Sequence, residues 1–164
     1  ARLGARPALF AALMMGMLAL GSMASAEEVD TTPPTVIETV PHDGKTRVRL
    51  DKVILAYFSE PDSHAMDRAS INTSTVRLHE GEYDPATSTC EASCAVPAVV
   101  KYRSGFGKAV LDPNELLKPS TLYTVVVEGA SGDINGDALA VKDLAGNPMT
   151  QTYTFTFTTM RQLN

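Results

Sequence analysis

The feature that most constrains the fold is a series of short runs rich in Val, Ile, Thr, Tyr and Phe, separated by clusters of Gly, Pro, Asn and Asp. Such runs favour strands, because β-branched and aromatic side chains pack well on a pleated surface, whereas the residues between them favour turns. We predict seven strands, at residues 36–40, 53–59, 75–78, 98–102, 108–111, 121–128 and 152–158. This pattern predicts an all-β fold, an immunoglobulin-like antiparallel β-sandwich of about seven strands.

The run at 152–158 has the clearest pattern. Tyr153, Phe155 and Phe157 alternate with threonines, so one face of the strand is aromatic and the other is hydroxylated. An aromatic strip for ligand binding is one interpretation. A core-facing strand is the simpler one, because period-two alternation is what a sandwich strand requires.

Helix signals are sparse after the N-terminal segment. Residues 67–71 and 113–117 could each form a single helical turn. The second turn would have Asp112 as its N-cap and Pro113 at its first helical position.

The N-terminal segment predicts export. Arg2 and Arg6 precede an apolar run at 8–20, and small residues follow at 24–26. This is the pattern of a secretory signal peptide at residues 1–26 with cleavage before Glu27, because the run is shorter than the ~20 residues of a membrane span. A Thr/Pro linker at 27–34, one domain at 35–160 and a tail at 161–164 would follow. We expect the mature protein in the periplasm, on the cell surface or outside the cell, with no membrane span.

The charge balance narrows the class of partner. The chain has 14 basic and 19 acidic side chains, and removal of residues 1–26 takes away two of the arginines. A domain this acidic lacks the electrostatic footprint of a nucleic-acid-binding protein. We expect an unidentified protein or cell-envelope partner, and the edge strands of a single sandwich also allow self-association.

Cys90 and Cys94 are the two cysteines, in the order Cys-Glu-Ala-Ser-Cys. In an oxidising compartment this pair predicts a disulfide that closes a small loop. Metal binding and free thiols are the alternatives. Structural zinc takes four nitrogen or sulfur ligands, and the nearest histidine in the sequence is His79.

A set of short motifs in a fixed order resembles the bacterial Ig-like domain of surface-layer and large secreted proteins. The motifs are Asp-Thr-Thr-Pro-Pro at 30–34, Val-Pro-His-Asp-Gly at 40–44, Phe-Ser-Glu-Pro at 58–61, Met-Asp at 66–67, Leu-Tyr-Thr at 122–124, Lys-Asp-Leu-Ala-Gly-Asn-Pro at 142–148 and Phe-Thr-Phe-Thr-Thr at 155–159. The resemblance implies a sandwich without catalytic residues, used as a spacer, adhesion or surface-layer module, with calcium in some relatives. Residues 62–65 and 84–97 are insertions relative to that pattern, and the second insertion carries both cysteines.

One polar cluster suggests a cation site. Asp133, Asn135 and Asp137 alternate as oxygen ligands do at the start of a calcium loop. Counted from Asp133, positions 6 and 12 lack the Gly and Glu of an EF-hand, so only a looser calcium site remains, with Asp143 or Glu60 as further ligands. A solvated turn is the alternative for the cluster. Asp143 can also accept backbone N–H groups in an Asx turn.

No motif for catalysis is present. The sequence has no G-x-S-x-G elbow, no H-E-x-x-H and no glycine-rich phosphate loop. We therefore expect a non-catalytic exported module with a structural, spacer or adhesive role. A calcium-dependent binding module is the first alternative. An accessory carbohydrate-binding domain is the second, although it would need exposed aromatic rings and the chain has no Trp.

Overall fold

The computed structural model describes residues 30–59, 66–84, 94–130 and 139–162. These ranges form eight strands arranged in two four-stranded sheets. The strands are β1 (Val36–Val40), β2 (Lys45–Val48), β3 (Ile54–Phe58), β4 (Val76–Glu80), β5 (Ala98–Arg103), β6 (Lys108–Pro113), β7 (Leu122–Val127) and β8 (Tyr153–Thr159). The predicted immunoglobulin-like β-sandwich is thereby confirmed.

The first sheet has the order β1-β3-β6-β5 and the second has the order β2-β8-β7-β4. All neighbouring strands are antiparallel except β2 and β8, which run parallel. Every one of the seven predicted strands overlaps one of these, so the additional strand is β2. Three of its four residues are exposed and only Val48 is buried, and a short edge strand of this kind has no alternating pattern to recognise.

The core lies between the sheets and follows the alternation along each strand. Phe155 and Phe157 of β8 are fully buried, and Tyr153 packs on the same cluster. The Phe157 ring stacks on Tyr123 of β7, with ring centroids 5.5 Å apart. The aromatic face of β8 is therefore core, as its simpler interpretation predicted.

One of the two predicted helical turns is present. A 3₁₀ helix covers Arg68–Ser70, and the Asp67 carboxylate caps it by accepting a hydrogen bond from Ala69 N at 2.9 Å. Asp67 therefore acts as an N-cap, which satisfies a backbone N–H at the start of the turn.

The predicted helical turn at 113–117 is wrong. Pro113 is the last residue of β6 and lies opposite Ala98 of β5, and Asn114 N donates to Pro97 O at 3.0 Å. Pairing between strands thus overrides the local signal of Asp112 and Pro113. A short 3₁₀ helix that the sequence did not indicate, Ser104–Phe106, joins β5 to β6.

The described chain enters the sandwich at one end and leaves it at the other. Asn147 Nδ2 donates to Asp30 O at 3.1 Å, and Pro34 is buried. At the opposite end, Met160 N donates to Val48 O at 2.7 Å. Within the ranges described, no helix is long and apolar enough to cross a membrane. The predicted signal peptide lies outside them.

Candidate functional site

Of the five predicted calcium ligands, only Asp143 lies in the described part of the chain. Glu60, Asp133, Asn135 and Asp137 lie outside it. Asp143 is buried, and each of its carboxylate oxygens accepts a hydrogen bond from Asn147, from the backbone N at 2.8 Å and from Nδ2 at 2.7 Å. Gly146 N also donates to Asp143 O at 3.2 Å. Asp143 thus supports its own loop through Asn147, four residues on, whereas an Asx turn would use the N–H two residues on.

Described residues that flank the other predicted ligands lie close to this turn. Asp143 forms an isolated antiparallel bridge with Met66, which follows the segment that contains Glu60. Ala130, which precedes the 131–138 loop, donates its backbone N–H to Met149 O at 2.7 Å. The fold therefore brings the borders of three loops to one end of the sandwich. No group of three or more His, Cys, Asp or Glu side chains that could hold a metal ion occurs among residues 30–59, 66–84, 94–130 and 139–162. The calcium site stays a prediction.

Cys94 lies near the C-terminal end of the cysteine-bearing insertion (84–97) and is buried. Its Sγ is 3.3 Å from His79 Nδ1 on β4. Cys90 lies outside the described residues, so the Cys90–Cys94 disulfide also stays a prediction.

The end of this insertion runs along the outer edge of β4. Glu80 N donates to Cys94 O at 2.7 Å, and Val96 N donates to Leu78 O at 2.8 Å. These bonds pair backbone groups that the edge strand of the second sheet would otherwise expose. The insertion therefore covers one edge, which limits pairing with another chain at that strand.

A buried polar cluster on the outer face of the second sheet was not found by the sequence analysis. The His79 ring stacks on Tyr83, with centroids 3.9 Å apart and planes 6° apart. The Arg77 guanidinium lies 5.9 Å from the Tyr83 ring and forms an ion pair with Glu128. Thr152 Oγ1 donates to Glu128 Oε2 at 3.0 Å. Arg77, His79 and Tyr83 are close in the chain, but Glu128, which completes the ion pair, is 51 residues from Arg77, so the local sequence does not indicate the cluster.

Burial and, to a lesser extent, the positive charge of Arg77 together lower the pKa of His79 to about 4. Burial penalises the charged imidazolium, and a neighbouring cation disfavours a second positive charge. Among the residues that the structure describes, the buried atoms His79 Nε2 and Arg77 Nε have no hydrogen-bond partner. The neutral ring therefore packs as an aromatic group between the sheet and Tyr83, and the cluster fastens the insertion to the sheet.

Comparisons with known proteins agree with this architecture. PcoC, a methionine-rich copper resistance protein from Escherichia coli, superposes with a TM-score of 0.51 at 18% identity, over 78% of this chain and 99% of PcoC. Domains 1–6 of the surface layer protein SbsC superpose with a TM-score of 0.50 at 16% identity, over 80% of this chain and 14% of that one. At these identities the likeness shows the fold alone. Comparison with curated proteins gives no match.

The family assignment comes from the sequence itself. The model of the bacterial Ig-like domain family matches residues 30–159, which includes every strand of both sheets. The chain therefore belongs to the bacterial Ig-like domain family.

Proposed function

We propose that this chain is a non-catalytic exported module with a structural, spacer or adhesive role in the periplasm or at the bacterial cell surface. The observation that carries the proposal is the placement of Asp30 and Met160, which flank the strands of the sandwich. Asp30 lies beside Asn147 at one end of the sandwich, whereas Met160 lies beside Val48 at the other.

This placement suits a spacer because the length of the sandwich separates whatever the two ends connect. The six residues of β7 (Leu122–Val127) alone span roughly 20 Å at the usual rise per residue of a strand. A module whose two ends lay on the same side would add little distance between the segments that it connects. Domains of the surface layer protein SbsC share this fold, so the fold is compatible with such a role.

The chemistry of the buried acids supports a structural role rather than catalysis. Asp143 is held by Asn147, and Glu128 is held by Arg77 and Thr152. Each carboxylate thus binds groups of its own domain and stabilises a loop or a sheet edge. General acid–base catalysis instead needs a carboxyl group within reach of a substrate.

Export is tested by expressing the full chain with a C-terminal tag in a Gram-negative host. We expect the tagged protein in the periplasm or on the surface, with an N-terminus at Glu27, since the signal pattern places cleavage there. Retention of the tagged protein in the cytoplasm with residues 1–26 intact would contradict export.

The spacer geometry is tested separately by the distance between spin labels on Thr32→Cys and Arg161→Cys in a Cys90→Ser/Cys94→Ser background. Both positions are exposed and flank the strands. We expect a narrow distribution centred beyond about 20 Å, the span of one strand. A distribution centred well below that value would overturn the spacer role.

A further inference from the structure

The outer face of the first sheet carries rows of side chains that cross all four strands. One row, which we name the charged row, consists of Glu38 of β1, Tyr57 of β3, Lys108 of β6 and Arg103 of β5, each paired with the next. The strand neighbours that alternate with these residues are buried: Thr39, Ala56, Tyr102 and Ala109. The charged row therefore points away from the core, because successive side chains of a strand point to opposite faces.

The charges of this row are ordered from one edge of the sheet to the other. Glu38 lies on the edge strand β1 and Arg103 on the opposite edge strand β5, and both are exposed. Three strand spacings, about 14 Å, separate their backbones, so these two side chains do not pair with each other. Between them, Lys108 Nζ lies 5.1 Å from the Tyr57 ring centroid. The row thus has an acidic edge, a ring beside a cation at its centre, and a basic edge.

The neighbouring row is apolar over three strands. Val40 of β1, Leu55 of β3 and Val110 of β6 are paired across the sheet, and all three are half-buried. Lys101 of β5 ends this row. An apolar centre with charged residues at its border is the usual composition of a protein–protein interface.

The charge of the face is mixed. Its four strands carry three basic and two acidic side chains, namely Lys101, Arg103, Lys108, Glu38 and Asp112. Within residues 30–59, 66–84, 94–130 and 139–162, no ion pair includes any of these five. Such a face is complementary to a surface that also carries both signs of charge, and electrostatic complementarity selects the partner.

A second copy of the same face has the required order of charges. A twofold axis parallel to the strands stacks β1 of one copy on β5 of the other and β3 on β6, because it reverses the order across the sheet and keeps the position along the strands. Glu38 then faces Arg103 of the second copy, and Tyr57 faces Lys108 of the second copy. We propose that the chain forms a twofold-symmetric dimer through the outer faces of its two β1-β3-β6-β5 sheets.

The apolar row supports the same arrangement. Under this axis Leu55 faces Val110 of the second copy, so apolar side chains meet at the centre. An axis perpendicular to the strands would instead stack β5 on β5 and bring the basic edges together. The parallel axis also keeps the strands of the two copies nearly aligned, as packed sheets require.

The size of the face predicts weak association. Four strands of at most about six residues give a face of roughly 20 by 20 Å, or about 400 Å² per copy. Stable interfaces bury about 800 Å² per partner, so we expect a dissociation constant between about 10 µM and about 1 mM. The dimer needs only the folded sandwich, and this inference therefore goes beyond the proposed function and does not depend on it.

Sedimentation equilibrium of the purified full chain, at concentrations from about 10 µM to about 1 mM, measures the association. The test variants are Glu38→Lys and Arg103→Glu. Each places like charges at both symmetric contacts, so each should weaken dimerisation more than about tenfold. The matched controls, Glu82→Lys and Arg161→Glu, make the same charge changes at exposed positions outside the four strands, and should stay within about twofold of the unmodified chain. Thermal unfolding verifies that every variant is folded.

An equimolar mixture of the Glu38→Lys and Arg103→Glu variants tests the axis. In the mixed dimer the introduced lysine meets the introduced glutamate, and the native Glu38 meets the native Arg103. We therefore expect the mixture to associate about as strongly as the unmodified chain, although each variant alone does not. A monomeric unmodified chain at every concentration, equal weakening in the controls, or a mixture that stays monomeric overturns the proposal. None of these outcomes bears on export, so the proposed function is judged separately.

Discussion

Gly129 lies against the backbone of Gln151 so closely that no side chain fits between them. A Cβ on Gly129 would lie 2.6 Å from Thr152 N and would overlap the carbonyl group of Gln151. Gly129 N donates to Thr152 Oγ1 at 3.1 Å, which holds the two segments together. This contact joins the residues that follow β7 to those that precede β8.

We therefore expect Gly129→Ala to destabilise the protein by about 3 kcal/mol, because two backbone segments must separate to admit the methyl group. Urea denaturation measures the loss. Gly105→Ala is the matched control, since a Cβ on Gly105 meets nothing within 4 Å, and it should change the free energy of unfolding by less than about 0.5 kcal/mol. Equal effects of the two substitutions would contradict the close approach.

The ion pair between Arg77 and Glu128 should contribute more than the exposed pair between Lys118 and Glu80. Glu128 is buried, whereas Lys118 is exposed and Glu80 is half-buried. We expect Glu128→Gln to cost about 2 kcal/mol, because Arg77 keeps a partly buried charge without its partner. Glu80→Gln should cost less than about 1 kcal/mol. Equal losses of unfolding free energy for the two substitutions in urea denaturation would show that burial does not strengthen the ion pair between Arg77 and Glu128.

The stability of the protein should depend on pH through His79. Its folded pKa of about 4 lies below the ordinary value of 6.5, so the unfolded chain takes up the proton more readily. The stabilisation is fully present above about pH 6.5 and is lost as the pH falls towards 4, by at most about 3 kcal/mol. Denaturation at several pH values measures this. His79→Phe keeps a ring on Tyr83 and should flatten the profile between pH 6.5 and 4, and an unchanged profile would exclude His79 as the cause.

The predicted disulfide between Cys90 and Cys94 has a measurable consequence. A five-residue loop closed by a disulfide should add about 2 kcal/mol of stability by restricting the unfolded chain. We expect a reducing agent to lower the midpoint of thermal unfolding of the exported protein, and to leave that of Cys90→Ser/Cys94→Ser unchanged. Alkylation of two thiols in the exported, unreduced protein would contradict the pairing.

Calcium should not change the stability if the loop of Asp143 is purely structural. Both oxygens of that carboxylate already accept hydrogen bonds from Asn147, so the turn has its own support. We expect the midpoint of thermal unfolding to be the same with excess calcium and with a chelator. Calcium that binds only the folded protein should add about 2.7 kcal/mol of stability at a hundred times its Kd. A rise in the unfolding midpoint of that size, lost in Asp133→Ala, would establish the calcium-dependent module instead.

Most of the strands could be predicted because they bury at least one face. In β8 the alternation of Phe155 and Phe157 with threonines fixed both the type of element and its core face. The turn capped by Asp67 could be predicted for a similar local reason, since the cap bond joins residues two apart. The β2 strand was missed, because pairing with β8 rather than burial holds it in place.

The contacts between residues that are far apart in the chain could not be predicted from the sequence. Arg77 and Glu128 are 51 residues apart in the chain, and so are Tyr57 and Lys108. Only the register between strands brings each of these pairs together. No spacing rule in one strand indicates which charges meet across a sheet.

The sequence by itself determined the fold class, the core face of the principal strands and the predicted export signal, because periodicity, turn chemistry and an apolar N-terminal run are local properties. Only the tertiary structure decided that the 113–117 segment is not helical, that Asp143 binds Asn147 and that Asp30 and Met160 lie at opposite ends of the sandwich. These features depend on strand order and register, which arise when the two sheets bury their apolar faces against each other.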